Sequence, residues 1–363
     1  MARRKAHITR LIGTCFAMLA LLALFVLAAC GCSIPDESDT PASSKSANAS
    51  SVLDSAENAN DEAQAAATQQ QAEQQAAQQT QAGAASGSET ISGAAFNPPS
   101  SVRGVSFDAG AAAQGPDCAI DLSHVAQGYA AATGTSAARL KLQVKCGDGS
   151  YNYDMPTDGS PIFVPMNMGN GTYTLRVMQN TSGSNYVELL SASANVGLDS
   201  PFEPYLRPNV YCSFGDGSAA VRKARELTAG CATQAEALRA ICLYIVDNVS
   251  YDNAKAERLS SASGYVPNPD ATLSSMSGIC FDYAALGAAM LRSVGIPTRI
   301  VTGYVSPNGF YHAWIMVHID GTWHTVQFSV NPGEWSRVDL TFASTGGGAF
   351  VGDGVGYQDR YVY

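Results

Sequence analysis

The stretch that most constrains the fold is GICFDYAALGAAMLRSVGIP, residues 278–297. Its interior is rich in alanine and nearly uncharged before Arg292, so a helix there must be buried on most sides. Gly295 and Pro297 are typical of a helix end. Cys280 stands at the helix start, where unpaired N–H groups and the helix dipole favour the thiolate, the nucleophilic form of cysteine. The sequence therefore predicts a buried helix that presents a nucleophile at its N-terminus.

Patterns of a second helix and of three strands surround this segment. Residues 233–249, TQAEALRAICLYIVDNV, begin with the capping box Thr233 and Glu236 and continue as an apolar stripe. Two of the strand patterns are separated by Asp320–Gly321, which is a strong hairpin signal. The three predicted strands are TRIVTGYV (298–305), YHAWIMVHI (311–319) and TWHTVQFSV (322–330).

A cysteine nucleophile needs a base, and the chain offers few candidates. The histidines that follow residue 125 are His312, His318 and His324, and all three lie in the predicted hairpin. His124 is isolated in the sequence, and an isolated histidine is more often structural than catalytic. We therefore expect the base to come from the predicted hairpin.

The segments ALRAICLYIVDNVSYD, SGICFDYAALGAAMLRSVGIPTRIVTGYV and YHAWIMVHIDGTW together resemble the core domain of the transglutaminase-like superfamily. The resemblance covers about residues 233–330. It implies an α+β, papain-like fold, in which a helix that carries the cysteine packs against an antiparallel sheet that carries the histidine. By this resemblance Cys280 is the catalytic nucleophile and His312 is the general base and acid.

The third catalytic position departs from the family pattern. The family usually has an aspartate four residues after a tryptophan, W-x-x-x-D, whereas Trp323 here leads to Gln327. A glutamine oxygen can accept from the imidazole N–H and orient the ring, but it brings no charge to stabilise an imidazolium. Gln327 is therefore the candidate third catalytic residue. His324 and Asp339 are alternative partners for the ring that the sequence does not place.

Residues 101–213 have the pattern of a small β-sandwich-like module. LKLQVKC (140–146) alternates apolar and polar residues, as expected for a half-buried strand. Further short strands are predicted at 151–155, 172–179 and 185–192, with glycine-containing turns between them. No catalytic pattern appears in this module.

The N-terminus has the features of a bacterial lipoprotein. Residues 1–29 combine a basic start with an apolar run and small residues, which predicts a secretory signal peptide. The sequence LAAC ending at Cys30 resembles a lipobox, which implies cleavage before Cys30 and lipidation of its thiol. Cys32 is a less suitable alternative anchor. We therefore expect a lipid-anchored protein on the outer face of the cell membrane.

Residues 30–100 are predicted to be a disordered tether. They are rich in Ala, Gln and Ser and poor in large apolar residues, so burial cannot offset the entropy of ordering them. The formal charge of the chain is −10, and removal of the four basic residues of the signal peptide lowers it to −14. This charge argues against nucleic acid as a partner.

The cysteine count allows disulfides in an exported protein. Seven cysteines follow Cys30, and if Cys280 is a reactive thiol the remaining six suffice for three disulfides. Cys118 with Cys146 is the first pair to expect, whereas Cys242 lies on an apolar helix stripe and fits a free buried thiol. No short-spaced ligand motif is present, so neither a metal nor an organic cofactor is expected.

Together with these patterns, the family resemblance implies a surface-anchored enzyme that acts on amides of proteins or cell-wall peptides through a Cys280 thioester. Its domains are a signal peptide (1–29), a tether (30–100), the β-sandwich-like module (101–213) and a transglutaminase-like domain (214–363). Water as acceptor makes it a peptidase or amidase, and an amine makes it a transglutaminase. The rival classes are an inactive surface binding module, which Gln327 favours, and a structural spacer.

Overall fold

The computed structural model describes residues 89–260, 262–306, 309–346 and 356–363. The predicted signal peptide, the lipidation site Cys30 and residues 30–88 of the predicted tether lie outside the described residues. Among the helices that are described, none combines the length and the apolar character needed to cross a membrane.

The first half of the described chain consists of strands. In chain order they are β1 (Thr90–Gly93), β2 (Ala113–Gly115), β3 (Cys118–Asp121), β4 (Tyr129–Gly134), β5 (Leu140–Cys146), β6 (Gly149–Met155), β7 (Ile162–Pro165), β8 (Gly171–Ser182) and β9 (Asn185–Val196). Short 3-10 helices occur at Val125–Gln127 and Glu203–Tyr205.

Strands β2 to β9 form two four-stranded antiparallel sheets, as the alternating patterns predict. One sheet has the order β2-β3-β4-β7 and the other has the order β6-β5-β8-β9. Apolar residues of both sheets, such as Ile120, Val164, Leu142 and Leu175, are buried in one core. This confirms the predicted all-β, sandwich-like architecture. β5 lies inside its sheet, so even Lys141 on its polar side is buried and pairs with Asp154 at 3.1 Å.

The second half of the described chain mixes helices and strands. The helices are α1 (Ala219–Thr228), α2 (Gln234–Asn248), α3 (Asn253–Leu259), α4 (Pro269–Ser275), α5 (Cys280–Ser293) and α6 (Leu340–Thr345). The strands are β10 (Ser250–Tyr251), β11 (Ser277–Gly278), β12 (Thr298–Val305), β13 (Phe310–His318), β14 (Gly321–His324), β15 (Ser329–Val330), β16 (Trp335–Val338) and β17 (Tyr357–Val362).

Helix α5 is the buried centre of this half, as its composition predicts. Every residue from Cys280 to Ser293 is buried, and the helix packs against β12 and β13 of the antiparallel sheet β16-β13-β12-β17. Gly287 allows the close packing, because a Cβ there would lie 2.6 Å from Leu340 Cδ1 of α6. A buried helix packed on an antiparallel sheet is the predicted α+β, papain-like arrangement, which is thereby confirmed.

The predicted hairpin of residues 311–319 and 322–330 is wrong. β13 pairs with β12 and β16, whereas β14 joins a separate three-stranded sheet with β1 and β15. The predicted second strand is interrupted by a turn, because the Thr325 hydroxyl accepts hydrogen bonds from the backbone N–H groups of Gln327 and Phe328. The turn lets the buried Trp323 ring stack on Phe328 at 4.7 Å. Burial of two aromatic rings outweighs the hairpin signal of Asp320–Gly321.

The predicted tether is also wrong at its C-terminal end. Thr90–Gly93 form β1, which pairs antiparallel with β14 in the register Ile91↔Trp323. Glu89 accepts hydrogen bonds from Trp323 Nε1 and Arg239 Nε at 3.0 and 2.6 Å. Ile91 and Phe96 pack against the core, so two apolar side chains and an open strand edge suffice to order this short segment.

The described cysteines, Cys118, Cys146, Cys212, Cys231, Cys242 and Cys280, are all free thiols. The predicted Cys118–Cys146 disulfide is therefore wrong. Cys118 lies on β3 with its Sγ beside Gly115, and Cys146 ends β5 of the other sheet with its Sγ beside Gly171. Cys242 is a free buried thiol, as its place on the apolar stripe predicts.

Candidate active site

Cys280 is the first residue of α5. Ile279 before it is extended, with φ −92° and ψ 176°, so the chain enters the helix directly at the thiol. The cysteine is 3% exposed and lies where the first N–H groups of the helix have no partner within the helix. The predicted placement of a thiol at the tip of a buried helix is confirmed.

The helix start is held by Asp282, which is 0% exposed. Its carboxylate accepts from the Ile279 N–H at 2.9 Å, from Lys255 Nζ at 2.6 Å and from the Tyr265 hydroxyl. Gly278 is required beside it, because a Cβ at that position would lie 2.6 Å from the Asp282 Cβ. The sequence G-x-C-x-D thus encodes a rigid support for the thiol.

His312 and Asp339 form a buried pair. His312 lies on β13 and is 0% exposed, and its Nε2 is 2.8 Å from Asp339 Oδ2. Asp339 follows β16 and is the N-cap of α6, where Oδ1 accepts from the Phe342 N–H at 3.0 Å. The carboxylate therefore uses one oxygen to begin a helix and the other to orient the imidazole.

The Cys280 thiol also forms a hydrogen bond with the His312 side chain. Because Nε2 of the ring is engaged by Asp339, Nδ1 is the nitrogen that remains for the thiol. The structure thus brings together two of the three residues predicted from the sequence, Cys280 and His312, and adds Asp339 as the third member.

The protonated form of His312 is stabilised. Complete burial by itself lowers the pKa of His312, but the Asp339 charge and hydrogen bond, with a smaller effect from Cys280, raise it overall from 6.5 to about 10. At neutral pH the ring is therefore an imidazolium between a carboxylate and a sulfur. A ring that carries a proton in this position can act as a general acid.

Gln327 does not occupy the predicted catalytic position. Gln327 lies in the turn between β14 and β15, and its side-chain amide donates to the Ala343 carbonyl of α6 at 3.4 Å. His324 is also away from the site, because its Nε2 lies 3.2 Å from Asn331 Oδ1. Of the two alternatives that the sequence left open, the structure places Asp339 against His312.

The sequence contains a signal for Asp339 that the predicted hairpin concealed. WSRVD, residues 335–339, has the spacing W-x-x-x-D, and Trp335 opens β16, the strand that actually pairs with the strand of His312. The segment WHTVQ at 323–327 has the same spacing but belongs to another sheet. A search for the pattern beyond the nearest tryptophan would have identified Asp339.

Aromatic side chains enclose the imidazole. The Phe342 ring is stacked on His312 with centroids 4.4 Å apart and an interplanar angle of 11°, and Trp314 lies 6.2 Å away. His318, farther along β13, packs between Phe202 and Trp335. The enclosure lowers the local dielectric constant and strengthens the interactions among Cys280, His312 and Asp339.

Comparison with known proteins identifies the family of this region. Residues 221–339 match the sequence profile of the Transglutaminase-like superfamily, and the match ends at Asp339. The uncharacterized protein ML0607 of Mycobacterium leprae (strain TN) is 40% identical over 57 residues, which are 13% of this chain and 20% of that protein.

The kyphoscoliosis peptidase of Homo sapiens is 31% identical over 104 residues, which are 26% of this chain and 15% of that protein. The chain thus spans no more than a fifth of the length of these two relatives. The crystal structure of a TGase, 15% identical, matches 45% of this chain and 43% of its own with a TM-score of 0.27, which is too low to support an assignment.

Proposed function

Residues 221–339 form a domain of the transglutaminase-like superfamily, and on this premise we propose that the protein is a cysteine-dependent acyl-transfer enzyme that cleaves peptide amides. The observation that supports the proposal is the buried chain of Cys280, His312 and Asp339 at the tip of α5. A nucleophile, a base hydrogen-bonded to it and a group that orients the base are the parts required for covalent catalysis.

The proposed reaction has two steps. The Cys280 thiolate attacks the amide carbonyl carbon, and the C–N bond breaks as the His312 imidazolium gives its proton to the leaving amine. The acyl group is then held as a thioester, and neutral His312 takes a proton from the attacking water as the C–S bond breaks. The free N–H groups at the start of α5, including that of Cys280, are candidate donors to the oxyanion.

The charge of Asp339 matters in both steps. It stabilises the imidazolium before the attack and keeps the Nε2 tautomer donating to the carboxylate while the ring acts as a base. An amide at this position would bring no negative charge to stabilise the imidazolium. With Asp339 in place, the argument from Gln327 for an inactive domain no longer applies.

Hydrolysis is the proposed outcome for this protein, with transfer to an amine as the variant reaction. The proposed substrates are proteins or cell-wall peptides at the outer face of the cell membrane. This location rests on the signal peptide and on lipidation at Cys30, both of which remain predictions from the sequence. No cofactor takes part in the proposed steps.

The second candidate is a binding module without turnover, and burial of the site is the observation that favours it. Cys280 is 3% exposed and His312 is 0% exposed, so a substrate can reach the sulfur only after the surrounding side chains move. The two candidates differ in one measurable property, since only an enzyme forms a covalent acyl intermediate.

The test is peptide cleavage by the purified protein, followed by mass spectrometry of both the peptides and the protein. Cys280→Ala and His312→Ala should abolish cleavage, and the matched control Cys231→Ala, which removes a half-buried thiol outside the site, should retain it. An acyl adduct on Cys280 that hydroxylamine removes would support the thioester. Cleavage that persists in Cys280→Ala would refute the proposal.

A further inference from the structure

A tyrosine hydroxyl contacts the same oxygen of the Asp339 carboxylate as the imidazole does. The Tyr357 hydroxyl donates to Asp339 Oδ2 at 2.9 Å, the same oxygen that lies 2.8 Å from His312 Nε2. We propose that Tyr357 is a positioning residue for the acyl-transfer reaction, acting through Asp339 on His312. This inference rests on the proposed function of Cys280 and His312.

The direction of the Asp339 carboxylate depends on the contacts of both of its oxygens. Asp339 Oδ1 is held by the Phe342 N–H at 3.0 Å, so the side chain can still rotate about that contact. Two donors on Oδ2, one from the imidazole and one from the phenol, fix its direction. A hydrogen bond to a charged group is stronger than one between neutral groups, so the hydroxyl contributes substantially to this alignment.

The phenol ring is itself rigid. Its face lies 3.7 Å from the Arg337 guanidinium carbon, and its ring meets Trp314 edge-on with centroids 4.9 Å apart. Trp314 is buried and lies two residues after His312 on β13. The ring that carries the donor is therefore fixed by the same strand that carries the base, which keeps the hydroxyl in register with the site.

The strand that carries Tyr357 is anchored by the β-sandwich-like module. β17 pairs with β12 in the register Tyr357↔Val305, and at its other end Val362 donates its N–H to the Tyr151 hydroxyl at 3.2 Å. Asn167 of the module donates to the Val362 carbonyl. The module thus holds the strand whose first residue supports Asp339, which gives this otherwise non-catalytic part a role in the site.

The experiment compares Tyr357→Phe with Tyr361→Phe in the full chain. Phenylalanine keeps the ring, its stack on Arg337 and its contact with Trp314 but removes the hydroxyl. Tyr361 is a matched control, because it lies on β17, is half-buried and also has an arginine over its ring at 5.4 Å. Two readouts are taken, kcat with KM for peptide cleavage and the rate of Cys280 alkylation by iodoacetamide at pH 6.

Tyr357→Phe should lower kcat and the alkylation rate about tenfold, which corresponds to ~1.4 kcal/mol, and should leave KM within about twofold. In an Asp339→Asn background the same substitution should have no further effect, because the hydroxyl acts through the carboxylate. Tyr361→Phe should leave kcat and the alkylation rate unchanged in either background.

The inference is overturned if the alkylation rate of Cys280 and the kcat of Tyr357→Phe equal those of the wild type, or if the effect of this substitution adds in full to that of Asp339→Asn. It is also overturned if Tyr361→Phe lowers kcat and the alkylation rate as much as Tyr357→Phe does. Alkylation separates this inference from the proposed function, because a wild type without peptidase activity would refute the enzyme while the rates at Cys280 still report whether Tyr357 supports the pair.

Discussion

Replacement of Asp339 by asparagine tests the central claim about the site. Asparagine has nearly the same shape, and its side-chain oxygen is also a good N-cap for α6, so the Phe342 N–H keeps an acceptor and the fold should persist. The substitution removes the negative charge that faces His312 at 2.8 Å and puts an amide NH2, which cannot accept from the ring, in the place of that oxygen. Any change in reactivity can then be assigned to loss of the carboxylate.

The expected magnitude follows from the environment of His312. Burial lowers the pKa of the ring, and Asp339 is the largest opposing influence among those that raise it to about 10. The difference from 6.5 corresponds to roughly 5 kcal/mol in favour of the imidazolium, since a tenfold change in proton affinity is about 1.36 kcal/mol. Without the charge, burial dominates and the ring is neutral at pH 6. A neutral ring brings no positive charge to the reacting sulfur, so alkylation of Cys280 should slow by roughly 100-fold or more.

The assay is alkylation of Cys280 by iodoacetamide at pH 6, followed by peptide mass spectrometry. Gln327→Ala is the matched control, because it removes the residue that the sequence alone assigns to the same role, and its rate should stay within about twofold of the wild type. The reasoning is refuted if Asp339→Asn reacts at the wild-type rate, or if Gln327→Ala slows as much as Asp339→Asn.

Three further outcomes are expected. The contribution of His312 to the free energy of unfolding is complete below pH 6.5 and is lost as the pH rises through about 10, because its folded pKa lies above the unfolded value. In urea, the free energy of unfolding of the wild type should therefore fall over this window by more than that of His312→Gln, and an equal fall in both would contradict the expectation. Gly278→Ala should cost ~1–3 kcal/mol in urea unfolding, since its Cβ would meet Asp282 at 2.6 Å, whereas Gly215→Ala, with nothing within 4 Å of its Cβ, should cost far less. All six described cysteines should be alkylated after unfolding without a reductant, and a disulfide-linked peptide between any two of them would show otherwise.

The third catalytic residue could not be placed from the sequence, because two segments begin with a tryptophan at the family spacing. WHTVQ follows the strand of His312 most closely in the chain, and an Asp-Gly pair invites a hairpin between them. WSRVD comes twelve residues later, and its strand, β16, takes the place beside β13 in the register Met316↔Arg337. Local turn chemistry predicts that a turn forms, but the partner of a strand depends on which edge is open and which side chains can be buried there.

Elements with strong local signals could be predicted from the sequence. The apolar composition of residues 280–293 predicted a buried helix with Cys280 at its tip, and Thr233 with Glu236 predicted the capping box of α2, which is present. Such features depend on neighbours within a turn or two along the chain, so they can be read from spacing alone.

Contacts between residues far apart in the chain could not be predicted in this way and are known from the fold. Asp339 reaches His312 across 27 residues, and Tyr357 reaches Asp339 across a further 18. Likewise Ile91 lies in a segment whose composition predicted disorder, yet it pairs with Trp323 of β14, more than 200 residues away. These contacts are set by the pairing of strands and by burial of side chains in a shared core, and neither property is encoded by the spacing of residues within any one segment.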